Sequence, residues 1–144
     1  MNFNRIKEIL LYKKVGIAGC GGLGSNCAVA LARVGVGHLI VADFDIIEES
    51  NLNRQYFFFD QIGQKKVHCL RDNILRINPF IRIESHDKKL HADDIIDLYK
   101  DCDVIVEAFD KAEMKQMIIE TVLDKLNRLE EYTQRLAKAN EDVR

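Results

Sequence analysis

Residues 14–24 read Lys-Val-Gly-Ile-Ala-Gly-Cys-Gly-Gly-Leu-Gly and connect a predicted strand to a predicted helix. The apolar run at the start of this stretch predicts a buried strand, and the spacing of apolar residues over 25–34 predicts a helix. Gly19, Gly21 and Gly24 lie between the two in the pattern G-x-G-x-x-G. Glycines in these places allow a tight turn, close approach of the backbone to a phosphate group, and close packing of helix on strand. The pattern favours a nucleotide-binding loop; the alternative is three glycines that serve packing alone.

Strands and helices alternate along most of the remaining sequence. The predicted strands are 14–18, 38–42, 80–86 and 103–107, and the predicted helices are 1–12, 25–34, 63–78, 92–100 and 113–144. Short apolar strands separated by helices are typical of a parallel sheet with right-handed crossovers, covered on both faces. We therefore expect an α/β fold: a Rossmann-like, doubly wound, mostly parallel sheet of about four strands, followed by a long C-terminal helix.

The composition of the chain narrows its class. A length of 144 residues predicts one domain. The chain has 21 Lys and Arg against 23 Asp and Glu, a net charge of −2, which argues against a general binder of nucleic acid. No apolar run is long enough for a membrane span, and the N-terminus does not resemble a signal peptide. We expect a cytoplasmic protein without a nucleic-acid or membrane partner.

The four cysteines do not form a recognisable site. They are scattered along the chain with no Cys-x-x-Cys pair, at Cys20, Cys27, Cys69 and Cys102. This spacing argues against a zinc site and against a disulfide framework. Cys20 lies inside the glycine loop without a basic neighbour, so we interpret it as a small packed residue and not as a nucleophile.

Asp43 ends the second predicted strand, close to the distance of roughly 20 residues at which such loops are followed by an acidic residue. A carboxylate in this place can accept hydrogen bonds from a ribose hydroxyl. These features alone do not choose a nucleotide, because an NAD-dependent oxidoreductase would share them.

Three stretches beyond the glycine loop are more specific. They are Asp43-Phe44-Asp45, Glu-Ser-Asn-Leu-Asn-Arg-Gln over residues 49–55, and Gly63-Gln64-Lys65-Lys66. Together they resemble the ThiF/MoeB family, the bacterial relatives of ubiquitin-activating enzymes, over about residues 14–123. Ile77-Asn78-Pro79 and the strand at 103–106 followed by Asp110 agree with the family pattern.

The resemblance implies an adenylyltransferase that joins AMP to the C-terminal carboxylate of a ubiquitin-like sulfur-carrier protein and expels pyrophosphate. It implies ATP and Mg²⁺ as cofactors, a ThiS-like carrier as partner, and a homodimer. Thiamine biosynthesis is the first pathway it implies, and molybdopterin synthesis the second.

The resemblance also implies roles for phosphate-binding residues. Arg54 and Lys66 would contact the phosphates, with Arg54 nearest the leaving pyrophosphate. Lys65 is the alternative to Lys66, but the Gly-x-x-Lys spacing favours Lys66. The backbone of the glycine loop would surround the phosphates with Gly19, Gly21, Gly22 and Gly24.

The remaining site residues each have a structural alternative. Asp43 would bind the ribose, and Asp45 would either touch the ligand or cap a turn. Asn51 would help to place the triphosphate or stabilise its own loop. Asp110 would hold magnesium between the phosphates, or cap the helix that follows.

Two further features are an aromatic run after Arg54 and an apolar stripe, or seam, along the last predicted helix. Tyr56-Phe57-Phe58-Phe59 would cover the core, or form a contact surface for a partner. The seam has alternating spacings of three and four, typical of a heptad pattern: Ile119, Val122, Leu126, Leu129, Thr133, Leu136, Asn140 and Val143. Such a helix packs on its own sheet or pairs with another chain.

These patterns divide the chain into a nucleotide-binding domain over 1–124 and a C-terminal helical extension over 125–144. Larger members of the family have a longer second half, which these 144 residues do not contain. A second hypothesis is therefore a truncated, non-catalytic nucleotide-binding and assembly module. A third, from another class, is the NAD-dependent oxidoreductase domain.

Overall fold

The computed structural model of the protein describes residues 2–143, with side chains described for residues 2–140. The helices are α1 (Phe3–Leu11), α2 (Gly22–Val34), α3 (Lys66–Ile77), α4 (Ala92–Tyr99) and α5 (Ala112–Val143). The strands are β1 (Lys14–Ala18), β2 (His38–Asp43), β3 (Arg82–Asp87) and β4 (Val104–Glu107). Two short 3₁₀ helices, Glu49–Asn51 and Phe59–Gln61, lie between β2 and α3.

The four strands form one parallel sheet in the order β3-β2-β1-β4. β1 is central: Ile17 pairs with Val41 of β2 on one side and with Val106 of β4 on the other. The expected Rossmann-like sheet with a long C-terminal helix is therefore confirmed.

Helices cover both faces of the sheet because alternate strand residues point to opposite sides. Ile17, Leu39 and Val41 pack in the layer that contains α2 and α3. Ile40 and Ala42 pack in the layer that contains α4 and α5. The sheet is thus doubly wound, and β2 is apolar on both faces, whereas the edge strand β3 is largely polar.

Three of the predicted boundaries move for a reason that the structure shows. The helix after the glycine loop begins at Gly22 and not at Ser25, because the backbone N–H of Ser25 already donates to the Gly21 carbonyl at 2.9 Å. α3 begins at Lys66 and not at 63, because Gly63 has a φ of 86° and its N–H donates to the Ile47 carbonyl at 2.8 Å.

The third boundary is the start of β3 at Arg82, two residues later than predicted. Asn78 holds the preceding residues in a turn, since its side-chain oxygen accepts a hydrogen bond from the Phe80 N–H at 3.2 Å. The turn delays the extended backbone.

The aromatic run divides between core and surface. Phe57 is 7% exposed and belongs to the layer under α2 and α3, whereas Phe59 is 76% exposed. One residue of the run therefore covers the core, as expected, and another is free at the surface.

The helix α5 leaves the domain partway along its length. Ile118 is buried against α4, and Val122 is half-buried there. Leu126, Leu129 and Leu136 are about half exposed, between 48% and 55%. The side chain of Val143, the last residue of the predicted seam, lies outside the described residues.

Within residues 2–143, no helix combines the length and the apolar character needed to cross a bilayer. The cysteines Cys20, Cys27, Cys69 and Cys102 are free thiols.

Candidate nucleotide-binding site

A cleft of about 730 Å³ opens at the carboxyl ends of β1, β2 and β4. Strand order reverses between β1 and β4, and a crevice at such a point is where open α/β sheets bind ligands. Six of the ten predicted site residues line the cleft: Gly19, Gly21, Asp43, Asp45, Lys66 and Asp110.

The glycines of the loop have different structural roles. Gly19 has a φ of 102°, and a Cβ there would lie 2.6 Å from the Ala108 carbonyl oxygen. A Cβ at Gly24 would overlap the carbonyl oxygen of Gly19. Gly19 and Gly24 therefore allow the turn and the helix packing, whereas Gly21 faces the open cleft.

Asp43 supports the loop from the end of β2. Its Oδ2 accepts a hydrogen bond from the Cys20 backbone N–H at 2.7 Å, and its Oδ1 accepts one from the Asp45 N–H at 2.8 Å. A carboxylate has about four lone-pair sites, so both oxygens can still accept a ribose hydroxyl. The contact with Cys20 fixes the distance between the loop and β2.

Lys66 is a buried cation at the start of α3. It is 5% exposed, and its Nζ lies 3.7 Å from Asp45 Oδ2. Lys65 is different: its side chain is 42% exposed, pairs with Asp87 at 3.5 Å, and does not line the cleft. Of the two neighbouring lysines that the sequence left as alternatives, only Lys66 faces the cleft.

Asp110 follows β4 and is exposed at the mouth of the cleft. A Cβ at Gly21 would lie 3.7 Å from Asp110 Oδ2, so the carboxylate stands next to the glycine loop. An oxygen ligand in this position is suited to a hard cation such as Mg²⁺.

Asn51 and Arg54 lie outside the cleft lining. Asn51 is buried, and its side-chain oxygen accepts a hydrogen bond from the Glu48 N–H at 2.8 Å, which caps a 3₁₀ helix. Arg54 donates from Nη1 to the Ser50 carbonyl at 3.0 Å. The aliphatic stem of Arg54 lies beside Gly22, at the start of α2.

Sequence reasoning missed three lysines at the cleft. Lys88 and Lys89 follow β3, and Lys111 precedes α5. Lys88 is also paired with Asp94 at 2.5 Å. The sequence could have indicated these lysines. The carboxyl ends of parallel strands share one edge of the sheet, so residues that follow β3 lie at the same edge as the glycine loop.

Cys20 lies within the glycine loop and is fully buried. Burial raises the pKa of the Cys20 thiol well above its usual value, and the nearby Asp43 carboxylate raises it further. The thiol therefore stays protonated at neutral pH, which agrees with its interpretation as a packed residue.

A doubly wound parallel sheet with a glycine loop after β1, an acidic residue at the end of β2 and a cleft at the carboxyl ends of the strands defines the class of Rossmann-like α/β domains. Within this class the chain belongs to the ThiF family, whose model matches residues 4–129.

Individual relatives agree with this membership. The chain is 36% identical over 106 residues to the probable adenylyltransferase/sulfurtransferase MoeZ of Mycobacterium tuberculosis, covering 73% of this chain and 27% of MoeZ. It is 37% identical over 97 residues to ubiquitin-like modifier-activating enzyme 5 of Caenorhabditis elegans, covering 67% of this chain and 22% of that enzyme. The chain thus spans about a quarter of the length of these curated relatives.

A solved relative shows the same architecture. E. coli tRNA N6-threonylcarbamoyladenosine dehydratase, TcdA, crystallised in complex with ATP, superimposes with a TM-score of 0.76 at 27% identity. The match covers 80% of this chain and 48% of TcdA.

Proposed function

We propose that this chain binds ATP in the cleft and transfers AMP to the C-terminal carboxylate of a ubiquitin-like sulfur-carrier protein. In this proposal residues 1–124 form the nucleotide-binding domain and residues 125–144 form a helical extension of it. Membership of the ThiF family and the names of MoeZ and ubiquitin-like modifier-activating enzyme 5 support the reaction class.

The observation that carries the proposal is Lys66. A buried ammonium group is costly unless negative charge lies close to it. Its partner Asp45 is 53% exposed and 3.7 Å away. Lys66 is also the first residue of α3, where the helix dipole adds positive character. A phosphate group in the cleft would stabilise both the ammonium group and the first turn of α3.

The chain contributes positioning and charge stabilisation, which dominate reactions at phosphorus. Bound ATP would supply the α-phosphorus that the carrier carboxylate attacks, with pyrophosphate leaving. Lys66 would offset negative charge on the phosphates, and Asp43 would orient the ribose. No side-chain nucleophile is needed, because the substrate carries its own carboxylate.

Asp110 is the residue that would hold Mg²⁺. Among the described residues, no group of three or more His, Cys, Asp or Glu is arranged for a metal ion. Mg²⁺ is commonly held by one or two carboxylates together with phosphate oxygens and water. A single exposed carboxylate beside Gly21 fits this arrangement.

Arg54 has a different place in the proposal. Its side chain reaches the start of α2 beside Gly22 and not the cleft lining. A role near the leaving pyrophosphate therefore requires the side chain to release the Ser50 carbonyl and turn toward the cleft. Asn51 would act by holding the backbone that carries Arg54, since the Arg54 N–H donates to the Asn51 carbonyl at 3.2 Å.

The deciding experiment is ATP–pyrophosphate exchange that depends on a carrier protein. We infer a ThiS-like carrier of thiamine biosynthesis as the first partner to test and a molybdopterin-pathway carrier as the second. Exchange should require both a carrier with an intact C-terminal carboxylate and Mg²⁺. If the chain binds ATP by calorimetry but supports no exchange with either carrier, the enzymatic proposal fails and the non-catalytic module remains.

A second candidate function is assembly through α5, favoured by its half-exposed leucines. The occupant we infer is a second copy of this chain in a parallel two-stranded coil beginning at Leu126. In that register Lys125 and Glu130 occupy the flanking positions that face each other across a parallel seam, and their charges are opposite. An antiparallel pairing would lack this match.

Sedimentation equilibrium on the full chain and on residues 1–124 would test the assembly. We expect a dimer for the full chain and a monomer for the shortened one. A charge-reversed Glu130→Lys variant should weaken the dimer, and adding Lys125→Glu should restore it. A monomeric full chain at all concentrations tested would rule the assembly out.

A further inference from the structure

Gln55 is a buried polar residue to which no role has yet been given. It is 6% exposed, and its side-chain Oε1 is buried without a hydrogen-bond partner. A buried polar atom without a partner lowers stability. An unbranched apolar residue of similar length would fill the same space without this cost, so hydrogen bonding by Oε1 does not explain a glutamine here.

The other end of the amide lies next to the glycine loop. A Cβ on Gly21 would be 3.6 Å from Gln55 Nε2 and 3.7 Å from Asp110 Oδ2. The missing side chain of Gly21 therefore leaves a gap that both an amide nitrogen and a carboxylate border. The gap opens onto the cleft, because Gly21 and Asp110 both line it.

The gap also lies at the N-terminus of α2, for which Gly21 is the N-cap. The first backbone N–H groups of a helix have no partner within the helix and favour an anion. An amide nitrogen adds two further N–H donors of the same kind. The first backbone N–H groups of α2 and the Gln55 amide therefore lie at the same end of the helix.

We propose that Gln55 is a phosphate-binding residue whose Nε2 donates a hydrogen bond to a phosphate oxygen held over Gly21. The inference rests on the proposed ATP binding and adds a side-chain donor to it. Asp110 borders the same gap, so a phosphate group held there would lie close both to the Gln55 amide and to a cation on Asp110.

Isothermal titration of the full chain with ATP, AMP and adenosine, in the presence of Mg²⁺, would test this role. For Gln55→Met we expect the Kd of the nucleotide whose phosphate occupies the gap to rise at least about tenfold. This is the loss expected when one hydrogen bond to a charged group is removed. Adenosine binding should not change, and the melting temperature should stay equal or rise.

The matched control is Gln61→Met. Gln61 has structural partners, since its Oε1 accepts from the Phe58 N–H at 3.0 Å and from Asn73 Nδ2 at 3.0 Å. Gln61→Met should lower the melting temperature and leave nucleotide affinity unchanged. Gln55→Glu, which has only acceptors when ionised, should weaken ATP binding more than Gln55→Met does.

The proposed ATP binding and the proposed role of Gln55 can fail separately. If the unmodified chain binds no ATP, both the proposed function and the role of Gln55 are wrong. If it binds ATP and both Gln55 variants bind ATP and AMP as tightly, only the role of Gln55 is wrong. An equal loss for adenosine would also overturn it, because that result indicates a distorted cleft.

Discussion

Lys65 and Lys66 are adjacent in the chain, but Lys66 is buried and lines the cleft, whereas Lys65 is partly exposed and does not. The two lysines therefore form a matched pair for mutation. We expect Lys66→Met to weaken ATP binding about 10- to 100-fold, the usual range for losing a charge-assisted hydrogen bond. The fold should tolerate this change, because the carboxylate left behind on Asp45 is 53% exposed and stays solvated.

Lys65→Met is the control for the same titration. Its side chain is partly exposed, paired with Asp87 and outside the cleft lining, so ATP affinity should stay within about twofold. Equal losses for both variants would mean that general positive charge, and not the buried ammonium group, attracts the nucleotide.

Some residues of the site could be predicted from the sequence, and others could not. Asp43 and Asp110 could be placed from the sequence because each follows a clear strand and must reach the same edge of the sheet. Gln55 could not be recognised, because nothing in its local pattern shows that a loop residue is buried behind Gly21. For Asn51 the sequence allows two roles, and the structure shows that its side-chain oxygen accepts the capping hydrogen bond from the Glu48 N–H.

At the scale of elements, α2 packs on β1 through Gly24. A Cβ at Gly24 would overlap the Gly19 carbonyl oxygen, whereas a Cβ at Gly22 would meet its nearest atom, Arg54 Cγ, at 3.8 Å. We expect Gly24→Ala to lower the free energy of unfolding by about 1–3 kcal/mol, as overpacking does.

Gly22→Ala should change the free energy of unfolding by less than about 1 kcal/mol, and in the stabilising direction, since alanine favours the helix. Urea denaturation of the two variants would measure the difference. Similar stabilities for both would mean that α2 can shift away from β1 at little cost.

Element boundaries were harder to predict than the elements. The apolar runs of β1, β2 and β4 predict where these strands lie. The predicted start of α3 is three residues early, because the turn at Gly63 depends on a hydrogen bond to Ile47, which is distant in sequence. Periodicity reports which face of an element is buried, and it does not report long-range hydrogen bonds that decide where a helix begins.

At the scale of the whole molecule, buried ionisable groups should make stability depend on pH. Burial raises the pKa of Cys20 and of Tyr99 in the folded chain. The folded state therefore holds protons that the unfolded state releases above the ordinary thiol pKa of about 8.5. The contribution to stability is present below that pH and is lost as the pH rises toward the raised pKa.

Urea midpoints between pH 7 and pH 10 would check this prediction. The unmodified chain should lose stability steadily above about pH 8.5, and Cys20→Ala should lose less over the same range. The quantity compared is the slope of the urea midpoint against pH. A loss of stability from the smaller side chain that is the same at every pH therefore does not affect the comparison. Parallel profiles for the two proteins would contradict the prediction.

The central position of β1 also has a consequence for how the chain is made. β1 leaves the ribosome well before its neighbour β4: the Lys14 N–H donates to Asp103 Oδ2 across a separation of 89 positions. At synthesis rates of about 5–20 residues per second, that interval is on the order of ten seconds. During this time one edge of the most buried strand has no partner, so the nascent chain is most exposed to chaperones and proteases before residue 107 has left the ribosome.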